Sequence, residues 1–332
     1  LGPGVAFDLT EEEGSSLKQV IAAFLVAERL LDLDRLWREI EEDDVFGRSA
    51  QLAYYFLLAL FPLLLFLTSV IGLVMGSGSG IRHALFNYLS EVLPGSAFSL
   101  IDTTMYEVSA ASSGGKVAFG ILAALWAASN GMGAITSALN VGYDVKESRP
   151  WWKQRLVAIK LTIILSVLII TALVLLLYGG HIADYIAASY GFSAVFTWAW
   201  KLIQWPLVVM FMLLSFALIY YEAPDLREQK WTWLTPGSAI GVAIWLLISF
   251  AFRVYLHFFD SYSKTYGSLG AVIILMLWLY LTGAAILIGG EVNSVVEDAA
   301  AERGAPDAKE KGERAPQEND KARLGPRRAT AR

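Results

Sequence analysis

Six long stretches of the chain contain no charged residue, and each is at least about 20 residues long. They cover residues 49–81, 117–143, 161–183, 202–221, 231–252 and 265–290. Because an α-helix rises about 1.5 Å per residue, about 20 apolar residues span the roughly 30 Å hydrocarbon core of a bilayer. The pattern predicts six transmembrane helices, at about 51–75, 117–139, 157–179, 196–221, 236–258 and 268–290.

The composition supports this assignment. Hydrophobic residues make up 56% of the 332 residues and charged residues 17%, whereas a soluble domain contains about 25% charged residues. The predicted fold class is therefore an all-α polytopic membrane protein. The chain has no cysteine, which excludes disulfides and thiolate chemistry, and its formal net charge of −5 provides no basic surface for nucleic acid.

The distribution of Lys and Arg predicts the topology. Without the last 35 residues, twelve of them fall in the N-terminal segment and the second and fourth connections, against four in the other three connections. Positively charged connections stay in the cytoplasm. We therefore expect both chain ends to be cytoplasmic and the protein to lie in the bacterial cytoplasmic membrane.

Three segments outside the six spans have their own patterns. Residues 1–48 contain amphipathic helices at 16–41, which we expect to lie on the membrane or the bundle, with binding of a partner as the alternative. Residues 81–92 and 98–108 predict an outer amphipathic hairpin, either a cover or a gate. The third segment is the tail at 298–332, which lacks aromatic residues and is predicted to be disordered. The transmembrane domain between these segments covers residues 49–297.

Small residues and prolines interrupt several predicted spans. Glycines that allow close helix packing, or loosening around a ligand, are Gly131, Gly133, Gly237 and Gly241. Pro62 and Pro206 break the first and fourth spans at corresponding positions of two three-helix halves. Such a pattern is typical of inverted-repeat transporters, although coincidence explains it as well.

Polar residues near the spans are the candidates for substrate binding, since burying them in a membrane is costly. They are Arg253, Asp260, Lys264, Asn130 and Asn140. Arg253 lies about five residues before the end of the fifth span. It either extends to the lipid headgroups or faces a cavity, where its planar guanidinium suits a phosphate or carboxylate.

The sequence contains few residues in patterns typical of catalytic or metal-binding sites. No nucleophile–base pair and no phosphate-binding glycine loop can be named. The three histidines map to the outer side but lie in separate segments without the spacing of metal ligands, at His83, His181 and His257. We therefore predict no metal, no cofactor and no enzymatic activity.

Several ordered motifs resemble the YihY/BrkB family of bacterial inner-membrane proteins over residues 35–297. They are Ala50-Gln-Leu-Ala-Tyr-Tyr-Phe-Leu-Leu-Ala-Leu-Phe-Pro62, Leu125-Trp-Ala-Ala-Ser-Asn-Gly-Met-Gly133, Asn140-Val-Gly-Tyr143, Arg149-Pro-Trp-Trp-Lys-Gln-Arg155, Tyr220-Tyr-Glu-Ala-Pro224, Tyr266-Gly-Ser-Leu-Gly270 and Gly289-Gly-Glu-Val-Asn293. The resemblance implies six transmembrane helices in a bacterial cytoplasmic membrane. Members have been described as serum-resistance factors, as candidate envelope-lipid exporters and under an old ribonuclease BN label.

Two functions follow as hypotheses. The first is a transporter or flippase-like protein for an anionic envelope lipid or amphiphile, with membrane lipids as its partners. The second is a non-transporting scaffold that organises envelope assembly through its amphipathic helices. A ribonuclease is disfavoured because the chain offers no His/Asp metal constellation on the cytoplasmic side. The oligomeric state stays open.

Overall fold

The computed structural model describes residues 32–75, 87, 114–190, 194–226, 234–258 and 261–303. Over these residues the protein is all-α, as predicted, and contains no strand. Seven helices are bounded within them: α1 (Leu33–Glu42), α2 (Val45–Met75), α3 (Gly114–Gly142), α4 (Trp151–Tyr190), α5 (Ala194–Glu222), α6 (Pro236–Phe258) and α7 (Ser261–Glu302). The predicted helix before residue 32, the outer hairpin apart from Asn87, the tail beyond residue 303 and Asp260 lie outside the described residues.

Five of the helices in the described part contain a segment long and apolar enough to cross a membrane. These segments are Gly120–Gly142, Trp151–Leu176, Leu202–Glu222, Pro236–Tyr255 and Val272–Glu302. They coincide with five of the six predicted spans. The first predicted span, 51–75, lies inside α2, a single helix of 31 residues, and the count of six crossings stays a prediction.

Two helices are longer than their apolar stretches. α4 begins directly after Pro150, whose fixed backbone angle suits the start of a helix. α7 continues to Glu302 because a buried face extends beyond the apolar stretch, formed by Val292, Val295 and Ala299. Helical structure thus continues past residue 297, where the sequence places the end of the transmembrane domain.

The six long helices form a ring in chain order. Each of α2 to α6 packs against the next helix, and α7 closes the ring by packing against both α6 and α2. α1 packs against α7 and α2 at one end of this ring. We call this end, which also contains the 143–150 and 223–226 connections, the α1 end; the Lys and Arg distribution predicts that it is cytoplasmic.

The buried core lies toward the α1 end. Its largest fully buried side chains include Leu52, Leu139, Tyr143, Leu161 and Tyr220. Large apolar side chains elsewhere face outward instead, as Leu247 and Phe250 do with 68% and 67% of their surface exposed. Such an apolar exterior is suited to lipid rather than water.

α6 and α7 approach each other through glycine. A Cβ atom on Gly237 would lie 2.0 Å from the carbonyl oxygen of Gly289, so neither helix has room for a side chain there. Across this contact the backbone N–H of Gly237 donates to Asn293 Oδ1 at 2.8 Å. Nearby, the Tyr220 hydroxyl donates to the Ile286 carbonyl at 2.8 Å.

The other glycines and prolines singled out in the sequence lie in different surroundings. Gly241 faces Phe216 and Tyr220, and Gly131 faces Ala59, whereas a Cβ on Gly133 would meet nothing within 4 Å. Pro62 and Pro206 lie inside helices that continue on both sides of them. The inverted repeat that they suggested stays a prediction.

Candidate functional site

The structure separates the predicted substrate-binding residues. Asn130 and Asn140 both lie on α3, but Asn130 lines a cleft and Asn140 belongs to a polar network at the α1 end. Arg253 lies on an exposed part of α6, a helix that packs against α5 and α7. Lys264 lies in α7, and only its backbone is described. The pairing of Arg253 with a lipid headgroup stays a prediction for a separate surface.

The polar network joins the ends of three helices, α3, α4 and α5. We call it the connection network; its members are Asn140, Glu147, Ser148, Arg149 and Asp225. Asn140 Nδ2 donates to Glu147 Oε2 at 2.9 Å, and Asn140 Oδ1 accepts the backbone N–H of Asp225 at 2.8 Å. Asp225 Oδ2 accepts from both the backbone N–H and the hydroxyl of Ser148, at 2.8 and 2.6 Å.

Arg149 is the cation of the connection network. Its Nε and Nη2 donate to the two oxygens of Glu147 at 2.7 and 2.8 Å, which is a bidentate pair. Nη2 also donates to the Ala223 carbonyl at 2.8 Å. Arg149 and Glu147 therefore hold the 143–150 connection against the end of α5, and their charges neutralise each other.

The two charged partners shift each other's pKa. Burial alone would raise the pKa of Glu147, but hydrogen bonds from Arg149 and Asn140 outweigh it and hold the pKa below its ordinary value of 4.5. The hydrogen bond to Glu147 raises the pKa of the Arg149 guanidinium, although burial opposes this. The network is thus built for an ionised Glu147, and its role is structural.

This shift predicts how stability depends on pH. The pKa of Glu147 is lower in the folded protein than in the unfolded chain, where it is 4.5. The contribution of Glu147 to the free energy of unfolding is therefore fully present above pH 4.5, and it is lost as the pH falls through the pKa of the folded protein. The melting temperature of the wild type in detergent should therefore exceed that of Glu147→Gln by a constant margin from about pH 7 to 5. The margin should narrow at lower pH; a margin that stays constant down to about pH 3 would contradict the prediction.

A cleft of about 510 Å³ lies between α2, α3 and α4. Its lining combines apolar side chains with polar and charged ones: Arg48, Gln51, Leu52, Tyr55, Leu58, Ala59, Ala127, Asn130, Gly133, Ala134, Ser137, Ala138 and Arg155. Its volume lies within the range of small-molecule sites, about 300–1,000 Å³. Tyr55 and Leu58 are 44% and 55% exposed, so the cleft opens at the side of the bundle rather than into its core.

Arg155 is held in a fixed position within the cleft. Its Nη1 donates to Asn130 Oδ1 at 2.7 Å and its Nη2 to the Trp126 carbonyl. The guanidinium lies 3.9 Å from the centre of the Trp126 ring, in a cation–π contact. Its Nε is buried without a hydrogen-bond partner among the described residues. The group is oriented by the protein, and because Nη1 and Nη2 each carry two N–H groups, these contacts leave one N–H on each of them unused.

The two arginines of the cleft differ from the cations of the bundle that form ion pairs. Arg149 pairs with Glu147, and Lys160 Nζ lies 2.6 Å from Glu222 Oε2. Neither Arg48 nor Arg155 forms an ion pair with a carboxylate of the described residues; the Nε of Arg48 donates to the Asp43 carbonyl at 2.7 Å. Two cations that have no carboxylate partner within the described ranges therefore line one amphipathic cleft, which suits an anion.

Sequence reasoning identified Asn130 but missed Arg48 and Arg155, which it counted only as positive charges that set the topology. One signal was available for Arg155. It lies four residues inside the helix that follows Pro150, so its charge lies within a segment that can span the membrane. The contact between Arg155 and Trp126, which is 29 residues earlier in the chain, could not be predicted from any pattern in the sequence.

The residues that the structure describes form no recognisable metal site. Over those residues, no three His, Asp or Glu side chains are grouped so that they could hold a metal ion. The polar groups brought together are an ion-paired structural network and a cationic cleft, and among the described residues neither contains a nucleophile–base pair.

Comparison with known proteins gives the family. The model of the family described as virulence factor BrkB matches residues 36–313. The chain is 37% identical over 250 residues to YfkH of Bacillus subtilis (strain 168), named a ribonuclease-like protein, which covers 75% of this chain and 89% of the relative. No solved structure matches.

Further relatives are named only as membrane proteins. The UPF0761 membrane protein of Xanthomonas oryzae pv. oryzae (strain PXO99A) is 26% identical over 263 residues, and that of Xanthomonas campestris pv. campestris (strain B100) is 25% identical over the same length. These matches cover 78% of this chain and 59% of each relative, so the chain spans less than two thirds of the Xanthomonas proteins. By its family match and its apolar helices, the chain belongs to the BrkB family of membrane proteins.

Proposed function

We propose that this protein binds an anionic amphiphile in the α2–α3–α4 cleft and moves its headgroup along that cleft, as a transporter or flippase-like protein. The observation that supports the proposal is the pair Arg48 and Arg155, two guanidinium groups without carboxylate partners among the described residues. An uncompensated charge near the hydrocarbon core is costly. A bound anion would remove that cost.

The rest of the lining supports an amphiphile rather than a simple ion. Tyr55 and Leu58 provide exposed apolar surface on α2, while Gln51 and Asn130 provide hydrogen-bonding groups. Apolar surface gains about 25 cal/mol per Å² when it is covered, and the guanidinium groups fix the charged end. The proposed location is the bacterial cytoplasmic membrane, with the α1 end and both chain ends in the cytoplasm.

A scaffold that does not transport is the second proposal. It is supported by α1, which packs against α7 and α2 yet exposes Leu33 and Trp37. These side chains offer an apolar surface to the membrane or to another protein. The ribonuclease-like name of YfkH belongs to that relative, and no residue of this chain is proposed to cleave RNA.

Loss of the Arg155 charge should impair transport. In liposomes reconstituted with purified protein, Arg155→Gln should slow the translocation of a fluorescent phosphatidylglycerol at least tenfold, because the headgroup loses its oriented donor; a tenfold loss equals about 1.4 kcal/mol. Lys153→Gln is the matched control, since it removes an exposed cation two residues away. Equal rates for both variants, or no translocation by the wild type, would refute transport through this cleft and leave the scaffold proposal.

A further inference from the structure

The floor of the cleft is made of small residues of α3. They extend over about three turns of the helix, at Ala127, Gly133, Ala134, Ser137 and Ala138. A Cβ on Gly133 would meet nothing within 4 Å, so this glycine is not there to let another helix approach. The small residues leave a groove open between α2 and α4 where larger side chains would fill it.

The two guanidinium groups lie at different levels of the groove. Arg48 is directed toward the α1 end, where its Nε bonds to the Asp43 carbonyl. Arg155 reaches Asn130 instead, the neighbour of Gly131, which packs against Ala59. Eleven residues of α2 separate Arg48 from Ala59, a rise of about 16 Å. The groove is thus about as long as one leaflet of a bilayer is thick, roughly half of the 30 Å core.

One side of the groove is open to its surroundings. α2 and α4 contact each other only briefly, and the rim between them includes the exposed Tyr55 and Leu58. A rim of apolar side chains on the outer surface of the bundle faces hydrocarbon. A small water-soluble anion would use only the guanidinium groups and leave apolar surface such as that of Leu58 uncovered, whereas an acyl chain would cover it.

We infer that the occupant is an anionic membrane phospholipid, whose headgroup contains a phosphodiester and no compensating amine, and that it enters sideways between α2 and α4. The phosphodiester contacts Arg155, whose Nη1 and Nη2 each keep one N–H for a phosphate oxygen. The acyl chains lie along Leu58 and leave through the open side. Asn130 and Trp126 act as positioning residues, because they hold the guanidinium. This inference names the substrate class of the proposed function and rests on it.

Filling the groove tests this inference. Gly133→Leu should place a side chain in the groove without striking the bundle, and Gly120→Leu is its control, because Gly120 lies on the same helix, also has nothing within 4 Å, and does not line the groove. Binding of phosphatidylglycerol and phosphatidylcholine to purified protein in detergent is measured by native mass spectrometry, and folding by thermal melting. Phosphatidylglycerol binding should fall at least tenfold in Gly133→Leu and in Arg155→Gln, and stay unchanged in Gly120→Leu.

Three further measurements decide the substrate class. Phosphatidylglycerol should outbind phosphatidylcholine, and inorganic phosphate at millimolar concentration should not displace it. Displacement by phosphate would identify a soluble anion instead, equal displacement by oleate would identify a carboxylate amphiphile, and unchanged lipid binding in a folded Gly133→Leu would place the lipid elsewhere; each result overturns the inference. If the lipid binds as expected but liposomes show no translocation, the inference holds and only the proposed transport fails.

Discussion

Gly237→Ala is expected to lower the melting temperature of the protein in detergent by on the order of 10 °C. The added Cβ would lie 2.0 Å from the Gly289 carbonyl oxygen, whereas an ordinary contact begins at 3.4 Å. Both groups belong to helix backbones, so α6 and α7 must separate along the contact. Overpacking of this kind costs up to about 3 kcal/mol. The hydrogen bond from the Gly237 N–H to Asn293 would be strained as well.

Gly120→Ala is the matched control for this experiment. It makes the same substitution in a helix, but a Cβ there would meet nothing within 4 Å. Because alanine has the higher helix propensity, by about 1 kcal/mol, this variant should melt at or slightly above the wild-type temperature. Gly237→Ala melting together with Gly120→Ala would show that α6 and α7 are farther apart than described.

Arg149→Ala is expected to destabilise the α1 end by about 2–3 kcal/mol. The change removes both hydrogen bonds to Glu147 and the one to the Ala223 carbonyl. It leaves Glu147 and Asp225, two partly buried carboxylates, without their cation, and an unpaired buried charge costs more than the pair contributes. The measurement is thermal melting in detergent at pH 7, where Glu147 is ionised.

Two variants separate this effect from a general loss of charge. Lys146→Ala removes an exposed cation from the same connection and should change the melting temperature little. The double variant Arg149→Ala/Glu147→Gln should recover part of the loss, because it removes the stranded charge together with its partner. A double variant that is less stable than Arg149→Ala alone would contradict the proposed pairing.

The fold was largely predictable because a bilayer imposes a simple requirement on each span. About 20 apolar residues in a row are visible in any sequence, and five such segments coincide with helices of the structure. The helix ends were less predictable. α7 continues to Glu302 through packing of its buried face, and Arg35 of α1 pairs there with Asp298 and Glu302, a contact between residues more than 260 positions apart.

The cleft was much less predictable than the spans. Arg253 attracted attention because it lies inside a span, but its side chain is exposed on α6, away from the cleft that Arg48 and Arg155 line. Arg155 was counted with the charges that set the topology, although its guanidinium reaches back along α3 to Asn130. The hydropathy of a sequence predicts which residues lie in the membrane, but it does not predict which of their side chains contact each other.

The closure of the ring by α7 has a consequence for biosynthesis. Gly283 of α7 packs against Leu52 and the carbonyl of Ser49 in α2, yet it is made about 230 residues later. At roughly 5–20 residues per second, a ribosome needs about 10–45 s to produce that stretch. During this interval the flank of α2 that α7 will cover stays in contact with lipid or the insertion machinery. We therefore expect the newborn protein to remain open at this flank until α7 packs against α2.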